Sequence, residues 1–295
     1  MRSPPPDCVR LRFFLPPEDL RPFVTTIYQM VIEANEGAPV DDRLHPEWAN
    51  LRFLVEGTVE AAVGGGSLQP VPRAVMVGPT SRATRFRSSG GESWGIGLLP
   101  LGWARLTEAP AADYADRFCD AFDDPAMARL QVFQKVLADP PCEPDRFRGR
   151  LVTAMRQALG PPQLREEEIV RLGIALIDPT IHSVAQLAEH TGTSMRSLER
   201  LCNLAFGFPP QLLLRRQRFL RSLAQYMLDP TLRWIDTLDS HYHDQAHFVR
   251  DFKRFMGMSP SAYAKLPHPV LGAAAHARKA IAGEAVQVLH KPPVP

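Results

Sequence analysis

Residues 183–208 read SVAQLAEHTGTSMRSLERLCNLAFGF, and this stretch decides the fold. Ser183 with Gln186 three positions on has the form of a capping box, in which each side chain satisfies the other's backbone N–H. The spacing therefore predicts a helix from residue 184. Val184, Leu187 and Ala188 give it an apolar stripe, and Thr191-Gly192-Thr193 interrupts it. Gly192 suits the positive φ of a tight turn. Ser194 then suits the N-cap of a second helix. In that helix Leu198, Leu201, Cys202 and Ala205 face inward, while Arg196, Glu199, Arg200 and Asn203 face away.

The shape recurs further on, in the stretch YHDQAHFVRDFKRFMGMSPSAY at 242–263. Trp234, Ile235 and Leu238 form a short apolar stripe before it, and a turn is expected around His241. Asp244 suits an N-cap, and Phe248, Phe252 and Phe255 at i, i+4 and i+7 make a new core face. Gln245, Arg250, Asp251 and Arg254 are left to solvent or a ligand. Between the two units Pro209-Pro210 opens a helix through Leu220 that acts as a stiff spacer. A helix, a short turn and a second helix with a polar, basic outer face make a helix-turn-helix pattern. From Ile181 to Leu266 there are eleven Lys/Arg against seven Asp/Glu, a local excess of four in a chain whose formal net charge is only +2. That is the most basic module in the sequence.

These residues resemble the double helix-turn-helix of AraC/XylS-type bacterial transcription regulators over 164–266. The first unit shows Leu187-Ala188, Gly192, Ser194, Arg196, Leu198 and Arg200, then Phe206-Gly207-Phe208-Pro209-Pro210 and Arg216-x-Arg218-Phe219. The second shows Tyr242, Asp244-Gln245-Ala246-His247-Phe248, Arg250-Asp251-Phe252, Phe255, Gly257-Met258-Ser259-Pro260 and Tyr263. The resemblance implies sequence-specific binding of double-stranded DNA. It implies base reading by Arg196, Glu199 and Arg200 in the first unit and by Gln245, Ala246 and Arg250 in the second. Ser194, Asn203 and Arg254 are phosphate-contacting or positioning candidates. Arg pairs bidentately with guanine, Gln with adenine, Glu accepts from cytosine and a methyl packs on thymine, so these residue types suit that reading. Two departures stand out. His241 occupies a turn position where the family usually has Gly, so a non-Gly residue is expected at positive φ. Asp236 and Thr237 fill slots that are commonly apolar and small, so the helix ahead of the second reading helix is expected to pack less well.

Outward from this module, residues 1–100 read as short extended runs at 9–15, 23–32, 51–55, 59–63, 74–78 and 94–99, separated by Gly/Pro/Ser clusters. This pattern predicts an antiparallel sandwich or barrel. A hairpin is expected to turn at Glu56-Gly57, with a second turn at Gly64-Gly65-Gly66. Residues 126–137 and 147–159 carry helical periodicity. The fold class is therefore α+β: a β-rich domain with helices at 1–160, an all-α, homeodomain-like double helix-turn-helix at 161–266, and an Ala/Pro-rich tail at 267–295, read as one loose helix or disorder. The resemblance, which extends loosely over residues 45–120, implies a sensor role for the first domain with a small-molecule effector. Helices at 124–160 offer a surface for a homodimer.

Other chemistry is weakly signalled. Four cysteines without a C-x-x-C pair argue against a disulfide framework or thiolate zinc site and fit a reducing cytoplasm. No apolar run follows Met1 that would serve as a signal peptide, and none is long enough for a membrane helix. The 29 prolines, roughly twice the usual share, fit many turns and linkers. Gly91-Glu92-Ser93-Trp94-Gly95 matches the G-x-S-x-G of hydrolases, which keeps a serine hydrolase using Ser93 as the runner-up, but the elbow needs a following helix and Ile96 to Leu99 reads as a strand. His241, His243 and His247 are read as structural, not as a metal cluster. A decayed helix-turn-helix serving protein interaction is the third reading. No metal, cofactor or catalytic residue is expected.

Overall fold

The computed structural model describes residues 8–33, 39–139, 143–242 and 244–291. Ten strands are described: β1 (Val9–Phe14), β2 (Val24–Ile32), β3 (Val40–Leu44), β4 (Asn50–Leu54), β5 (Val59–Val63), β6 (Gln69–Pro70), β7 (Ala74–Val77), β8 (Thr84–Ser88), β9 (Gly91–Leu98) and β10 (Phe118–Asp120). They form two antiparallel sheets, ordered β1-β2-β9-β4-β7-β10 and β3-β8-β5-β6. Leu51, Phe53, Met76, Trp94 and Ile96 are fully buried beneath the larger sheet, against Phe133, Leu151 and Met155.

One expectation fails here. The span 51–63 is not a hairpin: β4 pairs with β7 and β9 in one sheet, and β5 with β6 and β8 in the other. Gly57 therefore marks a crossing between sheets. Its φ of 82° and its approach to the Gly90 carbonyl, where a Cβ would lie 1.8 Å from the oxygen, both demand glycine. The turn at the three glycines does join β5 to β6.

The helices are α1 (Pro100–Leu106), α2 (Phe133–Ala138), α3 (Pro144–Ala158), α4 (Glu166–Ile177), α5 (Val184–Thr191), α6 (Met195–Leu201), α7 (Pro210–Leu228), α8 (Gln245–Met256), α9 (Pro260–Tyr263) and α10 (Pro269–Ala282). Where one helix is expected over 126–137, a 3-10 segment at Pro125–Val132 precedes the short α2. The tail is not loose: α10 lies on the sandwich, with Val270 buried against Val9, Ile32 and Phe86. Both oxygens of Asp42 explain the docking. Oδ2 accepts from the backbone N–H of Val270 and of Leu271, each at 2.9 Å, and Oδ1 lies 3.6 Å from Nδ1 of His268. A buried carboxylate at a helix start satisfies orphan N–H groups and favours the positive end of the helix dipole. Such a long-range cap has no signature in the local sequence.

The helical half packs directly on the β-rich half. Phe206 meets Trp48 edge-on at 5.5 Å, and Arg216 lies over the same indole at 4.0 Å while Nη1 donates to the Thr80 carbonyl at 2.9 Å. Burial pushes the Arg216 guanidinium down to about 9. Gly207 (φ 82°) permits the approach, because a Cβ there would sit 2.4 Å from Pro79. Nearer the carboxy terminus, Nε2 of His45 lies 2.9 Å from Tyr263 Oη, and Ala83 N–H donates to the Phe255 carbonyl at 2.7 Å.

Candidate nucleic-acid interface

The first unit is built by short-range bonds. Ser183 accepts from Gln186 N–H and Gln186 returns to the Ser183 backbone, so the capping box is formed on both sides. Gly192 closes α5 at φ 65°, and Ser194 caps α6 by accepting from Ser197 N–H. Leu187, Leu198, Leu201, Cys202, Ala205 and Phe206 form the inner face. Burial raises the Cys202 thiol to about 12, which leaves it a packing residue. Past Leu201 the helix widens into a π-turn through Phe206 before Gly207 ends it. With the inner face filled, Ser194, Arg196, Glu199 and Arg200 are exposed and Asn203 is half-buried.

The second unit is assembled differently. The segment that should mirror α5 is one 3-10 turn, Trp234–Thr237. Ile235, expected in the apolar stripe, is 54% exposed, because four residues present only one side to the core. Trp234 holds the turn, stacking on Tyr226 at 3.7 Å and packing edge-on to Phe252 at 5.0 Å. His241 does not adopt positive φ: among the described non-glycine residues only Asp116 does. Asp239 sets this turn instead, accepting from the His241 backbone N–H and facing its Nδ1, both at 3.0 Å, while its other oxygen takes Arg221 Nε at 2.5 Å. Burial opposes ionisation of Asp239, but Arg221 and the His241 backbone N–H outweigh it and hold the carboxyl below its ordinary value.

Asp244 caps α8 through His247 N–H at 2.6 Å, and Gly257 ends the helix at φ 73°. Gln245, Ala246, Arg250 and Arg254 are exposed. Asp251 is the correction on this helix. It is fully buried, ion-paired with Arg215 and, at 3.4 Å, with Arg218, and it accepts from Tyr242 Oη at 3.0 Å. It is a clamp between α7 and α8, not a solvent-facing group. Burial first, then the Arg218 charge, pushes His247 below its ordinary value. Among the described residues no group of three or more His, Cys, Asp or Glu could hold a metal; His243 lies outside them.

Sequence reading missed the floor between the units. A cleft of about 680 Å³ is lined by Ser183 and Val184 of the first unit, His241, His247 and Arg250 of the second, and Arg215, Arg218 and Arg221 of the spacer. The signal was present: arginines three apart on one helix share a side. His182 and His241 stack across the cleft with centroids 4.7 Å apart. The runner-up fares worse. Ser93 lies inside β9, paired with Met30 and Leu54, not at a strand-to-helix elbow.

Residues 187–266 match the family model of a helix-turn-helix domain. No curated protein matches the chain. Among solved structures, an apo ToxT variant from Vibrio cholerae is similar at 11% identity and a TM-score of 0.42, over 87% of this chain and 96% of that one. Unsaturated fatty acid-bound ToxT from the same organism is similar at 8% identity and a TM-score of 0.39, over 90% and 97%. The AraC-like transcriptional activator CuxR is similar at 13% identity and a TM-score of 0.27, over 74% and 88%. With a capped helix pair, a 3-10 turn leading into a second capped helix, and the match at 187–266, this part of the chain carries a helix-turn-helix domain.

Proposed function

We propose that this protein is a DNA-binding transcription regulator that reads two successive major grooves, Arg196, Glu199 and Arg200 reaching base edges from α6 and Gln245, Ala246 and Arg250 from α8. Ser194, Asn203 and Arg254 position the backbone. The observation that carries this reading is the division of each helix into a filled apolar face and an exposed polar one. Reading is assigned to the second helix of each unit because a helix fits the major groove and a lost bidentate contact costs about 1–3 kcal/mol. The proposed division of labour is an effector-sensing region at 1–160, DNA binding at 161–266 and a tail beyond it. A small molecule held between the two sheets would modulate the activity. A homodimer through 124–160 would match paired sites on DNA. The setting is the cytoplasm; among the described residues no helix is long and apolar enough to cross a membrane. No catalytic step belongs to this reading.

The test is a binding titration of the full chain on a selected operator, with Arg200→Ala and Arg250→Ala, at two salt concentrations. Both variants are expected to weaken specific binding about 5- to 150-fold while leaving the non-specific, salt-labile component. A loss confined to Arg200→Ala would mean that only the first unit reads bases.

A further inference from the structure

Between the two sheets lies a cavity of about 120 Å³, one wall of which is α10, the helix that follows the DNA-binding domain. This is slightly less than the ~150 Å³ of an apolar cavity that accepts benzene. Phe13, Leu54, Phe86 and Trp94 are among its apolar walls, and Arg52, Thr84 and Arg278 among its few polar ones. Arg52 is neutralised by Glu47, and its Nε donates to Tyr28 Oη at 2.9 Å. Arg278, reaching in from the tail, donates to Thr26 Oγ1 at 3.0 Å and lies over the Phe13 ring at 4.5 Å, with no carboxylate at ion-pair distance among the described residues. Two arginines thus share one glutamate, and one positive charge is left in an apolar enclosure. Thr84 Oγ1 is buried and has no hydrogen-bond partner among the described residues. A half-buried cation without a counter-charge beside it and a buried hydroxyl without a partner both carry a cost.

We propose that this cavity takes a small monocarboxylate with an apolar body of about six carbons, its carboxylate paired with Arg278, so that the tail helix is part of the ligand site. This deepens, and rests on, the reading of the sandwich as the effector site. A planar guanidinium pairs bidentately with a carboxylate, and a single negative charge matches the single excess positive one. A dianion would leave a second charge buried without a partner. Thr84 supplies a hydroxyl to the ligand. The tail is also tied to the DNA-binding half. Gln217 on α7 donates from Nε2 to the Val288 carbonyl at 3.0 Å, and Gln287 reaches the Ala49 carbonyl at 3.3 Å. A ligand that fastens Arg278 therefore fastens a strap running from the spacer helix to the sandwich.

The test is calorimetric titration of the full chain with hexanoate, hexan-1-ol and hexylamine. It is repeated on Arg278→Met, Arg278→Lys and Thr84→Val, with hydrogen exchange followed over 269–282. Hexanoate is expected to bind about 30-fold more tightly than the alcohol, and hexylamine not at all. Arg278→Met should lose about 30-fold and Arg278→Lys much less, while Thr84→Val, which changes no charge, should lose about 5-fold. Bound hexanoate should slow exchange in 269–282. Equal binding of hexanoate and hexan-1-ol, or undiminished hexanoate binding by a folded Arg278→Met, would overturn the anion assignment yet leave an effector site in the sandwich. Binding of none of the three probes would overturn the assignment and remove this cavity as the effector site, without touching the DNA-binding function.

Discussion

In the first helix-turn-helix unit, α5 begins in the Ser183–Gln186 box and ends at Gly192, and α6 begins at the Ser194 cap, so every boundary is set by a residue within four positions of it. In the second, the leading helix has shrunk to one 3-10 turn, and α8 is held from outside. Asp251 is clamped by Arg215 and Arg218, Asp239 by Arg221, Trp234 stacks on Tyr226, and Tyr263 reaches His45 in the β-rich half. The same product, an exposed polar helix on a buried apolar seat, is reached by a locally capped helix pair in one case and, in the other, by one capped helix, α8, that depends on tertiary clamps in place of a leading helix. A locally capped unit keeps its shape when its neighbours move. A clamped unit inherits the state of the spacer helix and, through Tyr263 and His45, of the β-rich half.

The largest contrast should come from Asp251→Ala. Removing one partner of a buried ion pair leaves Arg215 and Arg218 facing each other and costs about 3–5 kcal/mol. Denaturant unfolding should show that loss, with amide exchange rising over 245–263 and little changed over 184–206. Equal loosening of both units would break the distinction.

Acidification should act on the same side. Burial, with the charge of His268 adding to it, pushes His45 from 6.5 down to about 3, so the folded state holds it neutral. A group with a depressed folded value contributes fully above its unfolded value and loses that contribution as pH falls below it. Stability should therefore decline below about pH 6.5, by on the order of 2 kcal/mol at pH 5. His45→Gln should remove this part of the slope, which a comparison of melting against pH in the two proteins would reveal.

Next, Arg200→Ala should cost about 1–3 kcal/mol of specific DNA affinity and leave the melting temperature in place. Arg250→Ala should do the same if clamping seats α8 as firmly as capping seats α6. The smallest effect should follow Ser183→Ala, about 1 kcal/mol of stability, read by denaturation, since only one cap is lost. A larger loss would mean that α5, too, depends on more than its own caps.

The same contrast governs what could be read in advance. Caps, turn glycines and apolar stripes act over three or four residues, so Ser183, Gly192, Ser194, Asp244 and Gly257 announced the helix boundaries, and the inward faces of α6 and α8 followed from period alone. What escaped depends on residues far apart in the chain. Asp251 looks solvent-facing until Arg215, 36 positions away, is brought to it. Asp42 caps a helix 228 positions later. Positions 51–63 alternate as a hairpin would, yet the chain changes sheets at Gly57 because Gly90 packs against it. The outward placing of Arg196, Glu199, Arg200, Gln245 and Arg250 was legible from helix phase, their proposed role only from the family resemblance, whereas the arginine-lined cleft needed α7 placed between the two units.

Selection of bound fragments from a random DNA pool by the full chain tests the pairing of the two units most directly. If both units read bases, the enriched motif contains two half-elements about 10 base pairs apart, one weakened by Arg200→Ala and the other by Arg250→Ala. A single short element sensitive to Arg200→Ala alone would contradict it and leave the clamped unit as a structural support.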